Sequence, residues 1–179
     1  MTREVNVLAA YDRIAETWCR DRRERAERRF REKTLLDRLL APLPAGGRIL
    51  DVGCGCGVPI ASYLADRGFR VTGLDGSPEL LDLARRAVPD AAFVQGDMRT
   101  ADPGGPFDAL VAWDSVFHLP RSEHASLFAR FHRWLRSGGR LFVSLGGSAG
   151  EFTSAMHGES FFYSGHDPAE ALRLLEASG

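Results

Sequence analysis

The sequence predicts an α/β fold: a doubly wound, mostly parallel sheet beneath an N-terminal helical cap. Three observations carry that expectation. From residue 46 onward short apolar runs alternate with helical segments, as parallel strands buried on both faces do when crossover helices join them. A glycine-rich turn, Asp51-Val52-Gly53-Cys54-Gly55-Cys56-Gly57, closes the first run. Acids then recur just past the ends of the next three runs, at Asp75, Asp97 and Asp114, where an open parallel sheet places its ligand site.

Residues 1–45 read as the helical cap and 46–179 as the core of one structural domain. In the cap, Val5, Leu8, Ala9, Ile14 and Trp18 follow a loose helical period. The stretch Arg20–Lys33 is dense in charge of both signs, with Asp21/Arg25, Glu24/Arg28 and Glu27/Arg31 spaced as acid-then-base pairs. Such pairs stabilise a solvated helix, and the interleaved acids dilute the field that a nucleic-acid patch would need. The helix is expected to run on through Leu35, Leu36, Leu39 and Leu40 and to break at Pro42 and Pro44.

Strands are expected at 48–52, 70–74, 91–95, 107–113 and 139–146, with helices near 58–67, 78–87 and 122–136 between them. Ser77 suits an N-cap with Pro78 in the first turn, and Ser137-Gly138-Gly139 reads as a helix stop. The segment 146–165 shows no strong period and reads as a substrate loop. A last helix spans Pro168–Ala177. With five strands the run 139–146 is left as a long apolar edge. Either the chain stops short of its natural end or something else covers that edge, and a second copy could pair there to give a homodimer.

Composition excludes several classes of function. The chain has 179 residues, 44% hydrophobic and 26% charged, with a formal net charge of −1. That is a soluble globular mix with no global attraction to nucleic acid or to an anionic membrane. The start, MTREVNVLAAYDRIAE, has no long apolar run, so neither a signal peptide nor a membrane span is expected and a cytoplasmic location is the default. Three cysteines, Cys19, Cys54 and Cys56, are an odd number without framework spacing, which argues against a disulfide scaffold. No histidine or second cysteine pair accompanies Cys54 and Cys56, so no metal site is expected. They read as small side chains filling a tight loop.

The chemistry lies at the strand ends. Alternate glycines let the backbone turn sharply and approach a ligand, and the following helix start offers free N–H groups. Asp75, in Asp75-Gly76-Ser77-Pro78, can accept hydrogen bonds from both ribose hydroxyls of a nucleoside. Asp97 can accept from an adenine amine while Met98 lies on the ring face. The fourth end is Trp113-Asp114-Ser115-Val116-Phe117-His118. Acids at strand ends also serve as caps and turn formers, but four in succession are more specific than any one.

ILDVGCGCGVPIA resembles motif I of class I S-adenosylmethionine (SAM)-dependent methyltransferases. VTGLDGSPELLDLAR is similar to their second motif and FVQGDMR to their third; FDALVAWDSVFHL and LRSGGRLFVSLGG resemble their fourth-strand and fifth-strand segments. YDRIAETW is similar to the cap helix of small-molecule members. The resemblance covers residues 46–146 and implies a Rossmann-like sheet, SAM as cofactor and S-adenosylhomocysteine as product. Cys56 stands where Thr or Ser is commoner. The family closes its sheet with two further strands, expected here to be absent.

The resemblance also implies residue roles. Gly53, Cys54 and Gly55 border the methionine part of the cofactor, and Asp51 holds its amino group directly or through water. Asp75 takes the ribose hydroxyls, with Gly76 beside it; Ser77 and Met98 flank the adenine and Asp97 reads its amine. Tyr11 and Trp18 close the pocket from above, and Trp113 and Asp114 lie near the sulfonium, where an aromatic face suits a cation. The reaction implied is direct displacement at the methyl, to which an enzyme contributes alignment and exclusion of water.

An amine or thiol acceptor needs little base help, whereas a hydroxyl benefits from it. His118 is the candidate catalytic base, and a helix-capping role fits it equally. Phe117 reads as a pocket wall or core residue. Phe162 and Tyr163, with Phe161, either line the acceptor pocket or pack beneath the loop. His157 and His166 read as surface residues. The chain's size favours a small-molecule acceptor over protein, nucleic acid or membrane. A nicotinamide-dependent oxidoreductase would need G-x-G-x-x-G, and counting from Gly53 the sixth position is Val58. A SAM-binding module without catalysis is the remaining alternative.

Overall fold

The computed structural model describes residues 5–178. Helix α1 (Val7–Arg28) begins where the Asn6 side chain accepts from the Ala9 N–H at 3.1 Å, an N-cap. The expected continuous helix is divided. Arg29 is extended, and α2 (Lys33–Leu40) starts afresh, so that Leu36, Leu39 and Leu40 turn onto the sheet while α1 lies elsewhere. The break separates Glu27 from Arg31. Among the described residues none of the three expected acid–base pairs forms, and Asp21 instead faces His157 at 3.2 Å.

Five strands follow: β1 (Arg48–Val52), β2 (Arg70–Asp75), β3 (Ala92–Gln95), β4 (Phe107–Ala112) and β5 (Leu135–Val143). They form one parallel sheet in the order β3-β2-β1-β4-β5, with Ile49 opposite both Val71 and Ala109. Side chains alternate across it. Leu50, Val52, Leu110 and Ala112 meet Phe128 and Phe131 of α5 (Arg121–Trp134) on one face. Ile49, Val71, Ala109 and Val111 meet α2 and α3 (Ile60–Asp66) on the other. Helix α4 (Pro78–Ala87) is capped by Ser77 Oγ accepting from the Leu80 N–H, with Pro78 in its first turn, as the sequence predicts.

The fifth strand begins earlier than expected. Leu135 pairs with Phe107 and Arg140 with Ala109, so residues 136–139 bulge out against Asp108 alone. The glycines read as a helix stop lie in that bulge, with Gly138 at φ 72°.

A larger correction concerns the final strands, which the sequence reading takes to be absent. They are present as β6 (Gly150–Met156) and β7 (Glu159–Gly165), an antiparallel pair forming a second, two-stranded sheet. His157 and Gly158 join them at φ 50° and 81°, the two-residue turn whose twist matches a hairpin. The hairpin leaves β5 paired with β4 alone. It lies instead over the strand ends, with Phe161 fully buried against Ala10 and Ile14 of α1. The segment read as a structureless loop is therefore a roof. Helix α6 (Pro168–Glu176), capped by Asp167, packs on α5. His166 is buried at 3% exposure, not on the surface, and its Nε2 lies 2.9 Å from His124 Nδ1.

Candidate cofactor and acceptor site

The turn after β1 is fixed by main-chain bonds to its neighbour. Gly53 and Cys54 N–H groups both donate to the Leu74 carbonyl, at 2.7 and 3.2 Å. Asp75, at the end of β2, ties two segments together: Oδ2 accepts from the Gly55 N–H at 2.8 Å and Oδ1 from the Ser77 N–H at 2.9 Å. Each oxygen keeps a lone pair for another donor. Gly53 has φ 71°, and a Cβ there would sit 2.3 Å from Ser115 Cβ; Ser115 Oγ in turn donates to the Val52 carbonyl at 2.8 Å. No residue but glycine fits.

These segments floor a cavity of about 950 Å³. From the floor, Asp51, Gly53, Cys54, Gly55, Asp75 and Gly76 face it; Asp97 and Met98 come from the turn after β3, and Trp113, Asp114 and His118 from beyond β4. Tyr11 and Trp18 reach it from α1 and Phe162 from β7. Three predicted residues are not on its wall. Ser77 is fully buried and donates from Oγ to Asp12 at 2.5 Å. Phe117 lies edge-on to His118, and Tyr163 stacks on Phe152 with centroids 5.4 Å apart.

Asp51 is the most unusual group on the wall. It is 2% exposed, and its Oδ2 has no hydrogen-bond partner. Burial, and then the neighbouring Asp75 carboxylate, push its acid up to about 7. Burial likewise raises Asp75, against the N–H groups of Ser77 and Gly55 that favour its charged form. Asp97 differs. Arg99 grips both its oxygens at 2.6–3.0 Å and holds it below the usual carboxylate range.

Toward β4 the wall becomes aromatic and cationic. Trp113 stacks on Phe142, with centroids 4.8 Å apart and 13° between planes, and its Nε1–H donates to Glu32 at 3.0 Å. Arg22 enters from α1, its guanidinium 5.5 Å from the Trp18 ring centroid and its Nη1 3.1 Å from Asp114 Oδ2. Asp114 adopts φ 53°, held there by its N–H donating to Ser144 Oγ at 2.8 Å. Arg22 was not singled out in the sequence. Its signal was available, since Leu8, Tyr11, Trp18 and Arg22 follow one another at helical spacing and all four face the cavity.

His118 is held from both sides. The Phe162 carbonyl lies 2.8 Å from its Nδ1, and Tyr11 Oη lies 2.8 Å from its Nε2. A carbonyl only accepts, so Nδ1 carries the hydrogen, and Nε2 offers a lone pair that accepts from the Tyr11 hydroxyl. Burial lowers its pKa to about 4, so the ring is neutral at ordinary pH. Burial also pushes the Tyr11 hydroxyl far above its usual range, so the shared proton stays on Tyr11.

A family model described as a methyltransferase domain matches residues 49–139, half of the chain. The chain belongs to the methyltransferase-domain family. A trans-aconitate 2-methyltransferase from Azoarcus sp. (strain BH72) is 37% identical over 121 residues, which are 66% of this chain and 46% of that protein. The chain thus spans about half the length of the curated relatives it matches. Among solved structures, a TehB-like SAM-dependent methyltransferase from Corynebacterium glutamicum superposes with a TM-score of 0.69 at 27% identity, over 92% of this chain and 82% of that one. The 1,6-didemethyltoxoflavin-N1-methyltransferase of Burkholderia thailandensis, solved with bound 1,6-didemethyltoxoflavin and S-adenosylhomocysteine, gives 0.67 at 27% identity, over 95% and 76%. The Rossmann-like sheet of this methyltransferase domain is the one the motifs imply.

Proposed function

We propose that the cavity holds S-adenosylmethionine and that the domain passes its methyl group to a small-molecule acceptor. The observation that carries this reading is Asp51 Oδ2, a buried acceptor without a partner beside a glycine-lined main chain. A lone carboxylate oxygen out of water is costly, and an amino-acid ammonium group is the donor that would relieve it. The remaining residues fit the same guest. Spare lone pairs on Asp75 suit a vicinal diol, Met98 offers an apolar face to a base, and Tyr11 and Trp18 cover the middle. At Asp97 an adenine amine would share oxygens already facing Arg99.

When bound, the cofactor supplies an electrophilic methyl on a sulfonium. The chain's own residues do the rest. Asp51 fixes the amino-acid end and Asp75 the ribose, the roof of α1 and the hairpin excludes water, and Arg22, Trp113, His118, Thr153 and Phe162 bound the space left for an acceptor. Tyr11 and His118 form a neutral proton path that a hydroxyl acceptor could use and that an amine would not need. The relatives named above act on chemically different acceptors, so the acceptor here is a matter for assay. No described helix is long and apolar enough to cross a membrane. The one-sided edge of β5 supports pairing with a second copy; a monomer by light scattering at high concentration removes that part.

Calorimetric titration with SAM, S-adenosylhomocysteine and NADH tests the binding. SAM and S-adenosylhomocysteine should bind, and NADH should not; NADH binding alone would overturn the reading. A panel of carboxylate, phenol and amine acceptors with methyl-labelled SAM tests the transfer. Binding without turnover of any acceptor would leave a cofactor-binding module.

A further inference from the structure

The seam between cap and floor carries two cysteines that the cofactor reading does not use. Cys19 lies on α1 and Cys56 in the turn after β1, at 3% and 0% exposure, packed together with Ala15 and Leu80. Both thiols lie within this one buried cluster, and neither is in a disulfide. Their chain neighbours show how tight the seam is: a Cβ on Gly55 would sit 2.8 Å from Trp18 Cη2. Cys54 belongs elsewhere, its Sγ against Gly73 and 3.7 Å from the Gly55 carbonyl.

The two thiols are chemically unequal. Contact with Cys56 and the charge of Arg23, working against burial, lower Cys19, whereas contact with Cys19 and burial push Cys56 up. Cys19 is thus the sulfur that ionises first, beside a thiol that can resolve it.

We propose that Cys19 and Cys56 are a redox-modifiable pair, which a two-electron oxidant of the peroxide class joins in a disulfide that staples α1 to the glycine turn and holds the cavity shut. The Cys19 thiolate attacks hydrogen peroxide, the O–O bond breaks, and Cys19 sulfenic acid and hydroxide result. The Cys56 sulfur then attacks the sulfenyl sulfur; the S–S bond forms, the S–O bond breaks, and the departing hydroxide takes the Cys56 proton. Two thiols and one peroxide give one disulfide and two waters.

Both sulfurs lie inside the closed seam, so peroxide reaches Cys19 when α1 lifts. A bound cofactor that holds α1 down slows the reaction; this point, and the effect on exchange, rest on the proposed function, whereas the bond itself does not. The test treats reduced protein with hydrogen peroxide, with and without S-adenosylhomocysteine, followed by peptide mapping without reductant and by measurement of S-adenosylhomocysteine release. A Cys19–Cys56 peptide should appear, form several-fold more slowly with ligand present, and slow release about tenfold until dithiothreitol is added. Cys19→Ser and Cys19→Ala should each bind ligand and lose the oxidant effect.

Cys19 left reduced, paired with Cys54, or carried on to sulfinic acid would overturn the proposal, as would a disulfide that leaves release unchanged. A disulfide in a protein that binds no S-adenosylhomocysteine would sink the functional reading and leave the thiol pair standing. Ligand binding without the disulfide would do the reverse.

Discussion

The floor of the cavity and its roof are held by different kinds of bond. The floor is held through main-chain N–H groups of segments next to one another in the sheet: Gly53 and Cys54 on the Leu74 carbonyl, and Gly55 and Ser77 on the Asp75 carboxylate. The roof is side chain on side chain between segments far apart in sequence: Tyr11 on His118, Arg13 on Glu159, Phe161 between Ala10 and Ile14. The floor inherits the rigidity of a buried parallel sheet, so its polar atoms are placed before any ligand arrives. The roof meets the body through scattered bonds that each involve a side chain, such as Tyr11 on His118, Arg22 on Asp114 and Ser77 on Asp12, with Arg13 about half in solvent; contacts of that kind open locally without disturbing the sheet. Fixed binding atoms and a removable cover are separate parts of this molecule.

That division is broken most strongly at the floor. Asp75→Ala should weaken SAM binding by at least about 100-fold, or roughly 2.7 kcal/mol, because it removes the ribose acceptor and releases the Gly55 and Ser77 N–H groups together; calorimetry reads it. Gly53→Ala should cost about 2–4 kcal/mol in urea unfolding, since a Cβ meets Ser115 at 2.3 Å in a positive-φ residue. Part should return in the double variant with Ser115→Gly.

Asp51→Asn separates function from stability. Its folded pKa is raised from 3.8 to about 7, so between those values the folded state holds a proton that the unfolded chain has lost. Asp51 therefore favours folding at low pH, and that contribution falls as pH rises through about 7. At pH 8 the Asn variant should gain on the order of 2 kcal/mol in the ligand-free protein, and near pH 3 nothing, by thermal melts at both. SAM binding should weaken most at pH 8, and in the parent protein it should weaken as pH drops below 7 until the two proteins converge.

The smallest effect belongs to the roof. Tyr11→Phe leaves His118 Nε2 buried without a donor, at about 1–2 kcal/mol, which lowers the melting temperature by a few degrees. With a hydroxyl acceptor it should lower kcat with little change in KM, and with an amine acceptor do neither. Equal losses for both acceptors would make the pair structural only.

The floor was legible in the sequence because its chemistry is consecutive. Asp51 through Gly57 and Asp75 through Ser77 are short runs whose glycine spacing and strand context fix where each atom goes. The roof was not, because it depends on the docking of distant parts. Arg22 is one cation among many on a charged helix until α1 lies across the sheet. Ser77 kept its role as a cap, but Asp12 of α1 claims its hydroxyl, which no local pattern signals. The hairpin was missed although its turn was readable: His157-Gly158 is a two-residue connection of the primed type, while Phe161, Phe162 and Tyr163 in succession hid the alternation of β7.

The roof also has a consequence for how the protein is made. Arg13 and its partner Glu159 are 146 positions apart, so during synthesis α1 emerges long before the hairpin that it must grip. Until β7 leaves the ribosome, Ala10 and Ile14 lack their aromatic neighbour Phe161, so the roof is the last part of the cavity to be completed.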